Sequence, residues 1–552
     1  MFKAKRQINE FINLDYNSYL RMILSTSIFF MVAYFGLVKG GRWDLNEQII
    51  TGFNIINGNL DIYQPGLEGK YAVTTIYPYF QPLMLGILSK LTSLRNLEFL
   101  TIILICPICV VTLFNFLIDL SFKAYSIKNY AGIPKSLHML QIASIFYLSR
   151  SYIYYASEFK PDTTALIFLI ISVYCLIDKD KNEKENREFF LNFDFKRIIL
   201  VSFFLFLSCS SKQQFILPSL TISIYISFLS KSLLNLLITF LGILLSFLLP
   251  SLFFKGYFKM IFLSHMGRGL IDTKSIYYFT LENIQHVFVY IFVLSLLLFF
   301  VKLSFKYLIG NNFINNRLNM SLKNFEFNEI SISIEEFYLN IKSGSLHTYL
   351  IILFLPLFFS QFLSTYNLGG NSGNFQMGIL PLLVIIFPSF IRINFPLIDK
   401  DSDKAIPRVF YLSVMILIFF SVFLSRSIIP FQSDNNYLNA ENSVLSEFKG
   451  LYDKNQIILV DGNSTLFARD AGYINQISLS HMSHIGYGKL KQLNFDNPIF
   501  LSNEGKNVPY LVKGSLEGFI KDTSSKLPWL KDLVIYDEKC LKNICTGIIK
   551  VK

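Results

Sequence analysis

A series of uninterrupted apolar runs restricts this chain's fold more than any other feature: Leu20–Val38, Phe99–Ile118, Leu233–Phe254, Val287–Val301, Tyr349–Leu363 and Val409–Leu424. As helices such runs cross, or nearly cross, a hydrocarbon core of about 30 Å, and a helix satisfies its own backbone there. Mean hydropathy is +0.45. Hydrophobic residues make up 52% of the 552 and charged residues 16%, which excludes an ordinary soluble globular domain. The 57 Phe and 30 Tyr suit contact with lipid and its interface. The expected fold class is mainly α, a polytopic transmembrane helical bundle of about 11–13 spans. A small C-terminal extracytoplasmic α/β domain is expected to follow it.

A net charge of +12 raises the question of nucleic acid, and the placement of the charge answers it. Basic residues crowd short connections: Lys3, Lys5, Arg6 and Arg21; Lys123, Lys128 and Lys135; Lys179, Lys181, Lys184, Arg187, Lys196 and Arg197; Lys302, Lys306, Arg317, Lys323 and Lys342; Arg392, Lys400, Lys404 and Arg408. The positive-inside rule reads these as cytoplasmic loops, so no nucleic-acid partner is expected. The first apolar run is read as a retained anchor, because no small-residue cleavage site follows it. The expected location is the cell (inner or plasma) membrane, multi-pass, with a cytoplasmic N-terminus and the C-terminal domain outside.

Taken in order, the first span delivers the stretch 39–82 to the outer face. The apolar piece Pro82–Leu91 is short for a crossing and is left as re-entrant, interfacial or strongly tilted. Phe99–Ile118, Leu137–Tyr155 and Thr163–Ile177 then alternate, three further pairs follow, and Val409–Leu424 leads to the tail. Residues 1–430 form the expected membrane domain and 431–552 the tail domain. The tail carries β-like runs at Gln456–Val460, Pro498–Leu501 and Leu533–Tyr536. His481 and His484 have ligand-like spacing without a third ligand and are read as structural or surface residues. Cys106, Cys109, Cys175 and Cys209 fall in apolar runs, whereas Cys540 and Cys545 are spaced for a small-loop disulfide if the tail lies outside.

With most of the chain apolar, its chemistry has to sit where polar residues interrupt. In the stretch 39–82, a helix over Trp43–Ile56 puts Asp44 and Glu47 on one side, where they either solvate a helix end or face a substrate. Glu158, Lys160 and Asp162 precede a span that Pro161 can open. Asp162 also suits the positive end of that helix. Charges at such depth usually have partners or functions. Lys212, with Gln213 and Gln214 beside it, either snorkels to the interface or binds a phosphate. Gly369-Gly370-Asn371 is either a tight turn or a place where backbone approaches a ligand closely.

The order of these motifs is similar to that of the bacterial GT-C class of glycosyltransferases, in particular the group called family-39-like or dolichyl-phosphate-mannose mannosyltransferase-like. An outer-loop Asp44 is followed by Asn57-Gly58, Tyr63 and Tyr77-Pro78, then Lys160-Pro161-Asp162, Lys212-Gln213 and Gly369–Asn371, over roughly Asp44 to Pro388. Where many relatives have an adjacent Asp-Glu pair, this chain has Asp44-Leu45-Asn46-Glu47. The resemblance implies a membrane enzyme with three kinds of partner: a polyprenyl-phosphate sugar donor, the lipid bilayer, and a glycan, lipid or protein acceptor. It implies Asp44, with Glu47, as base or organiser, in some members with a divalent metal (Mg or Mn) on Asp44. Lys160, Lys212 and Arg268 are the cations for a departing lipid phosphate, and Glu158, Asp162, Gln213, Gly370 and Asn371 complete the expected substrate contacts. One base and direct displacement make inversion the expected stereochemistry. The alternative is a non-catalytic lipid-linked glycan flippase or transporter. A transporter should hold its ionisable residues near the midplane of its spans, whereas here they gather at one expected face.

Overall fold

The computed structural model of the chain describes residues 16–38, 43–60, 62–63, 75, 77–125, 135–177, 193–263, 276–277, 280–281, 346–366, 372–394, 448, 457–461, 464–473, 475–478, 508–523, 533–541 and 544–551. The fold is mainly helical, with a small sheet near the C-terminus. The first apolar run forms α1 (Tyr16–Val38), and the polar stretch after it forms α2 over Trp43–Ile56, the helix that puts Asp44 and Glu47 on one side. The short apolar piece is α3 (Phe80–Ser89), of 10 residues. α4 (Leu94–Leu100) runs through a π turn at Thr101–Ile105 into α5 (Cys106–Tyr125).

The expected single span Leu137–Tyr155 is instead two helices, α6 (Lys135–Leu148) and α7 (Arg150–Ala156). The break is at Ser149, whose ψ of 56° leaves the helical region. Two polar side chains absorb it. Ser149 Oγ donates to Ile145 O at 2.7 Å, and Gln376 Oε1 accepts the Tyr152 N–H at 2.8 Å, filling a place the helix end leaves open. Then follow α8 (Pro161–Leu176), α9 (Phe195–Ser211), a 3₁₀ turn at Gln213–Phe215, α10 (Ile216–Ser230), α11 (Leu233–Phe253), α12 (Leu346–Tyr366) and α13 (Ser372–Asn394). The expected spans Val287–Val301 and Val409–Leu424 lie outside the described residues, as does the expected boundary at residue 431.

Among the described residues, three helical stretches are long and apolar enough to cross a membrane: Ser18–Leu37, Leu94–Lys123 and Leu233–Phe253. α11 turns Leu234, Leu237, Leu241, Leu248 and Leu252 outward, an apolar exposure suited to lipid. Glycine sets the closest helix crossing. A Cβ on Gly52 of α2 would run into the Pro82 carbonyl of α3, and one on Gly86 into the Gly52 backbone, so α2 and α3 meet main chain to main chain.

The sheet runs β2-β1-β3-β5-β4, with β1 (Ile457–Val460), β2 (Asn475–Ser478), β3 (Val508–Lys513), β4 (Leu533–Leu541) and β5 (Ile544–Val551). β1 pairs parallel with β2 and β3, while β5 pairs antiparallel with β3 and β4. Helices α14 (Thr465–Asp470) and α15 (Leu516–Thr523) follow β1 and β3. Cys540 and Cys545 sit opposite each other at the end of the β4–β5 hairpin and form a disulfide. One apolar cluster fills the helical bundle. A second joins Ile55, Ile62, Tyr63, Tyr77, Phe254 and Tyr257 to Leu459, Val508, Tyr510 and Val512 of the sheet. The sheet and Tyr77 thus share one apolar cluster.

Candidate active site

α2 opens with Asp44 in its first turn, where the positive end of the helix favours a carboxylate. Asp44 is not a surface residue. Its side chain and that of Glu47, on the same face, are both fully buried. The Lys160 ammonium is paired with Asp44 Oδ2 and lies 3.3 Å from Glu158 Oε2. The Tyr77 hydroxyl donates to Asp44 Oδ1 at 2.5 Å. Opposite, the Lys212 ammonium is 3.1 Å from Asp162 Oδ2, and Gln361 Nε2 donates to Asp162 Oδ1 at 3.2 Å.

Two tyrosines join these halves. Lys160 sits over the Tyr155 ring, 4.2 Å from its centroid, and the Tyr155 hydroxyl lies 3.1 Å from Asp162 Oδ2 and 2.8 Å from Asn374 Oδ1. Lys212 sits over the Tyr77 ring at 5.1 Å. Seven of the expected residues, Asp44, Glu47, Glu158, Lys160, Asp162, Lys212 and Gln213, are thus buried. Five of them, Asp44, Glu158, Lys160, Asp162 and Lys212, share one ion-pair network tied by phenols. Asp162 stands in the first turn of α8 behind Pro161, so the dipole and the network act on one carboxylate. Gln213 is buried in the 3₁₀ turn after Lys212. Arg268, Gly370 and Asn371 lie outside the described residues, as do His481 and His484.

The turn that presents Lys160 is held by residues the sequence reading passed over. Phe159 has φ 55°, a left-handed conformation that a bulky residue rarely adopts. Its carbonyl accepts Gln48 Nε2 of α2 at 3.4 Å and also Gln81 Nε2 of α3. Two amides therefore fix a strained turn between the carboxylate helix and the lysine. A signal for Gln361 was available, as an amide within an otherwise apolar run. Tyr77 and Tyr155 had no such signal, since tyrosine is common at membrane interfaces.

Burial alone would lower the Lys160 pKa, but Asp44 and Glu158 more than offset it, so it stands above the ordinary lysine value. Burial, then the Asp44 charge, holds the Tyr77 phenol well above its ordinary value, so it stays a donor. Buried ion pairs pay a desolvation penalty that their attraction barely repays, so such a network is poor evidence for stability alone and fits a site. The donor set offers no clear place for the divalent metal that the resemblance implies. Asp44 carries a lysine ammonium, and three ligand-type side chains come close enough to share an ion, among the described residues, at Glu538, Cys540 and Cys545. That pair of cysteines is disulfide-bonded.

No protein-family model matches the chain, and no curated protein matches it. Among solved structures, the chain is similar to ArnT from Cupriavidus metallidurans bound to undecaprenyl phosphate. That likeness has 10% identity and a TM-score of 0.42, covering 96% of this chain and 97% of that one. It is also similar to the Archaeoglobus fulgidus oligosaccharyltransferase in the apo form, at 11% identity and a TM-score of 0.39, covering 93% of this chain and 69% of that one. At these values the likenesses assign nothing, and the functional reading rests on this chain's own side chains.

Proposed function

We propose that the protein is a membrane glycosyltransferase that moves a sugar from a polyprenyl-phosphate-linked donor to an acceptor hydroxyl on the outer face of the membrane, with inversion. The observation that supports this best is the pairing of a buried carboxylate, Asp44, with a lysine that also touches Glu158, beside a second lysine on Asp162. Asp44 takes the acceptor proton as the acceptor oxygen bonds to the anomeric carbon. The bond from that carbon to the phosphate oxygen breaks, and its electron pair leaves with the polyprenyl phosphate. Lys160 and Lys212 neutralise the phosphate, in a buried setting where a fixed cation counts for more than in water.

Lys160 has a second consequence in this scheme. At rest its ammonium is paired with Asp44 and covers the carboxylate. Turning to the donor phosphate releases the carboxylate, so the base is uncovered once the donor is present. Glu158 and Asp162 hold the two ammonium groups in place, and the resting Tyr77 hydrogen bond orients Asp44. Membrane location, spans and the outward site belong to the same proposal, supported by the apolar helices and by the basic connections. The test is to incubate purified protein with a panel of polyprenyl-phosphate sugars and acceptors. Release of polyprenyl phosphate is expected. Movement of intact donor across vesicles without its cleavage would contradict the proposal in favour of a flippase.

A further inference from the structure

α14, six residues between β1 and β2, makes two charged contacts with the helical bundle. Asp470 at its end is ion-paired with Arg95 of α4, and the neighbouring Arg469 guanidinium lies over the Phe53 ring of α2 at 4.6 Å. The helix itself is rigidly based: Asp461 Oδ1 accepts the Ser464 N–H at 2.7 Å and its carbonyl accepts Thr465 Oγ1 at 3.1 Å. Leu466, on the same helix, belongs to the apolar core of the bundle. Phe53 stands next to Gly52, where α2 rests main chain against α3. Nine residues before Phe53 on that helix is Asp44.

We infer that α14 of the C-terminal domain is a positioning element for the carboxylate helix, acting through Arg469 on Phe53 and Asp470 on Arg95. α2 is tied near its start by Asp44 and Gln48 and rests main chain on α3 at Gly52 and Gly86; α14 packs on it near Phe53, where it can oppose a roll of its second half about that contact. A guanidinium stacked on Phe53 opposes that roll, and the Arg95 ion pair ties the guanidinium's own helix to the bundle. These contacts fall on Phe53 and Arg95, so their effect on catalysis is argued through α2. The catalytic part of this inference rests on the transferase reading; the mechanical part does not.

The experiment compares full-length wild type, Asp470→Asn, Arg469→Ala and the charge swap Arg95→Asp with Asp470→Arg, by hydrogen exchange of the 43–56 segment and by steady-state transfer. Asp470→Asn and Arg469→Ala are expected to raise exchange in 43–56 while leaving α10 and α11 unchanged. Turnover is expected to fall on the order of tenfold, since small displacements of a reacting group cost up to about 10²-fold. The effect on turnover should exceed the effect on the KM for donor, because Asp44 lies on α2 whereas Lys160 and Lys212 lie on other elements, and the charge swap should restore both readouts. Unchanged exchange in 43–56 overturns the inference whatever the turnover, and raised exchange with wild-type turnover overturns the link to catalysis. A wild type that exchanges as expected but transfers nothing sinks the transferase reading and leaves the mechanical coupling standing.

Discussion

A carboxylate placed just beyond a membrane span reads, from sequence, as a solvated residue whose change to Asn would hardly affect folding. The structure reverses that expectation for Asp44, which is fully buried against Lys160 and Tyr77. Sequence places Asp44 in a polar stretch, and nothing in that stretch tells that Lys160, more than a hundred residues on, closes over it. Removing one member of a buried pair costs about 3–5 kcal/mol when it leaves the other charge alone. Here Glu158 remains beside Lys160, so Asp44→Asn is expected to lower stability by less than that but measurably in thermal unfolding. Lys160 bears on pH dependence with a definite sign. Its folded pKa is raised, so the stability from its charge is fully present below the ordinary lysine value and is lost only as pH rises through the higher folded value. Melting temperatures from neutral pH to about pH 9 should therefore show no loss traceable to Lys160; a fall there that Lys160→Met abolishes would contradict the raised value. Lys212 separates phosphate binding from snorkelling. Lys212→Gln should weaken donor use by roughly 1.5–3 kcal/mol, about tenfold to a hundredfold, if it contacts the phosphate. Unchanged donor kinetics would remove it from the site. Chelation of divalent ions should leave transfer unchanged, because among the described residues Asp44 is not one of three ligand-type side chains close enough to share an ion.

Among the elements, α2 was legible and its neighbours were not. The helix considered over Trp43–Ile56 is present with those bounds, and the shared face of Asp44 and Glu47 follows from their i, i+3 spacing, which is a local property. The break at Ser149 and the left-handed Phe159 were hidden, since each is held by distant amides, Gln376 in one case and Gln48 with Gln81 in the other. In the tail, β1 and β4 matched runs rich in Ile, Leu and Val. β3 contains Pro509 and β5 Gly547, residues that argue against a strand unless the sheet places them, and β2 is the polar Asn-Gln-Ile-Ser. The expected run Pro498–Leu501 lies outside the described residues. The crossing at Gly52 and Gly86 carries its own test. A β-branched side chain at either position has nowhere to go but into backbone. Gly86→Val should force α2 and α3 apart and sharply lower the yield of folded protein, while Gly58→Ala, where a Cβ meets open space, should cost only the strain of its positive φ. Equal yields of folded Gly86→Val and wild type would contradict the crossing.

Across the whole molecule, the apolar runs and the basic connections made membrane insertion legible, because both are compositional. The contact of sheet with bundle was not, since it depends on pairs hundreds of residues apart such as Arg95 and Asp470. The proposed orientation rests on the charge asymmetry and is tested directly: cysteines placed at Asn59 and Asn463 should react with an impermeant thiol reagent from outside and one at Asn182 should not. Labelling of Asn182 in intact cells with Asn59 protected would put the network on the other face. The proposed outer location of the tail would put Cys540 and Cys545 in a compartment where their disulfide persists. The central claim is that Asp44 is the base of a lipid-linked sugar transfer, and it meets its most direct test in one assay. Equal amounts of folded wild-type, Asp44→Asn and Glu47→Gln protein are compared for transfer of sugar from polyprenyl-phosphate donor. Asn keeps the shape of Asp but takes no proton at neutral pH, so Asp44→Asn turnover should fall about 10² to 10⁴-fold. Glu47→Gln should be the milder change, since the proposal gives the proton transfer to Asp44. An Asp44→Asn enzyme that keeps more than about a tenth of wild-type turnover would contradict the claim and move the base to Glu158 or Asp162.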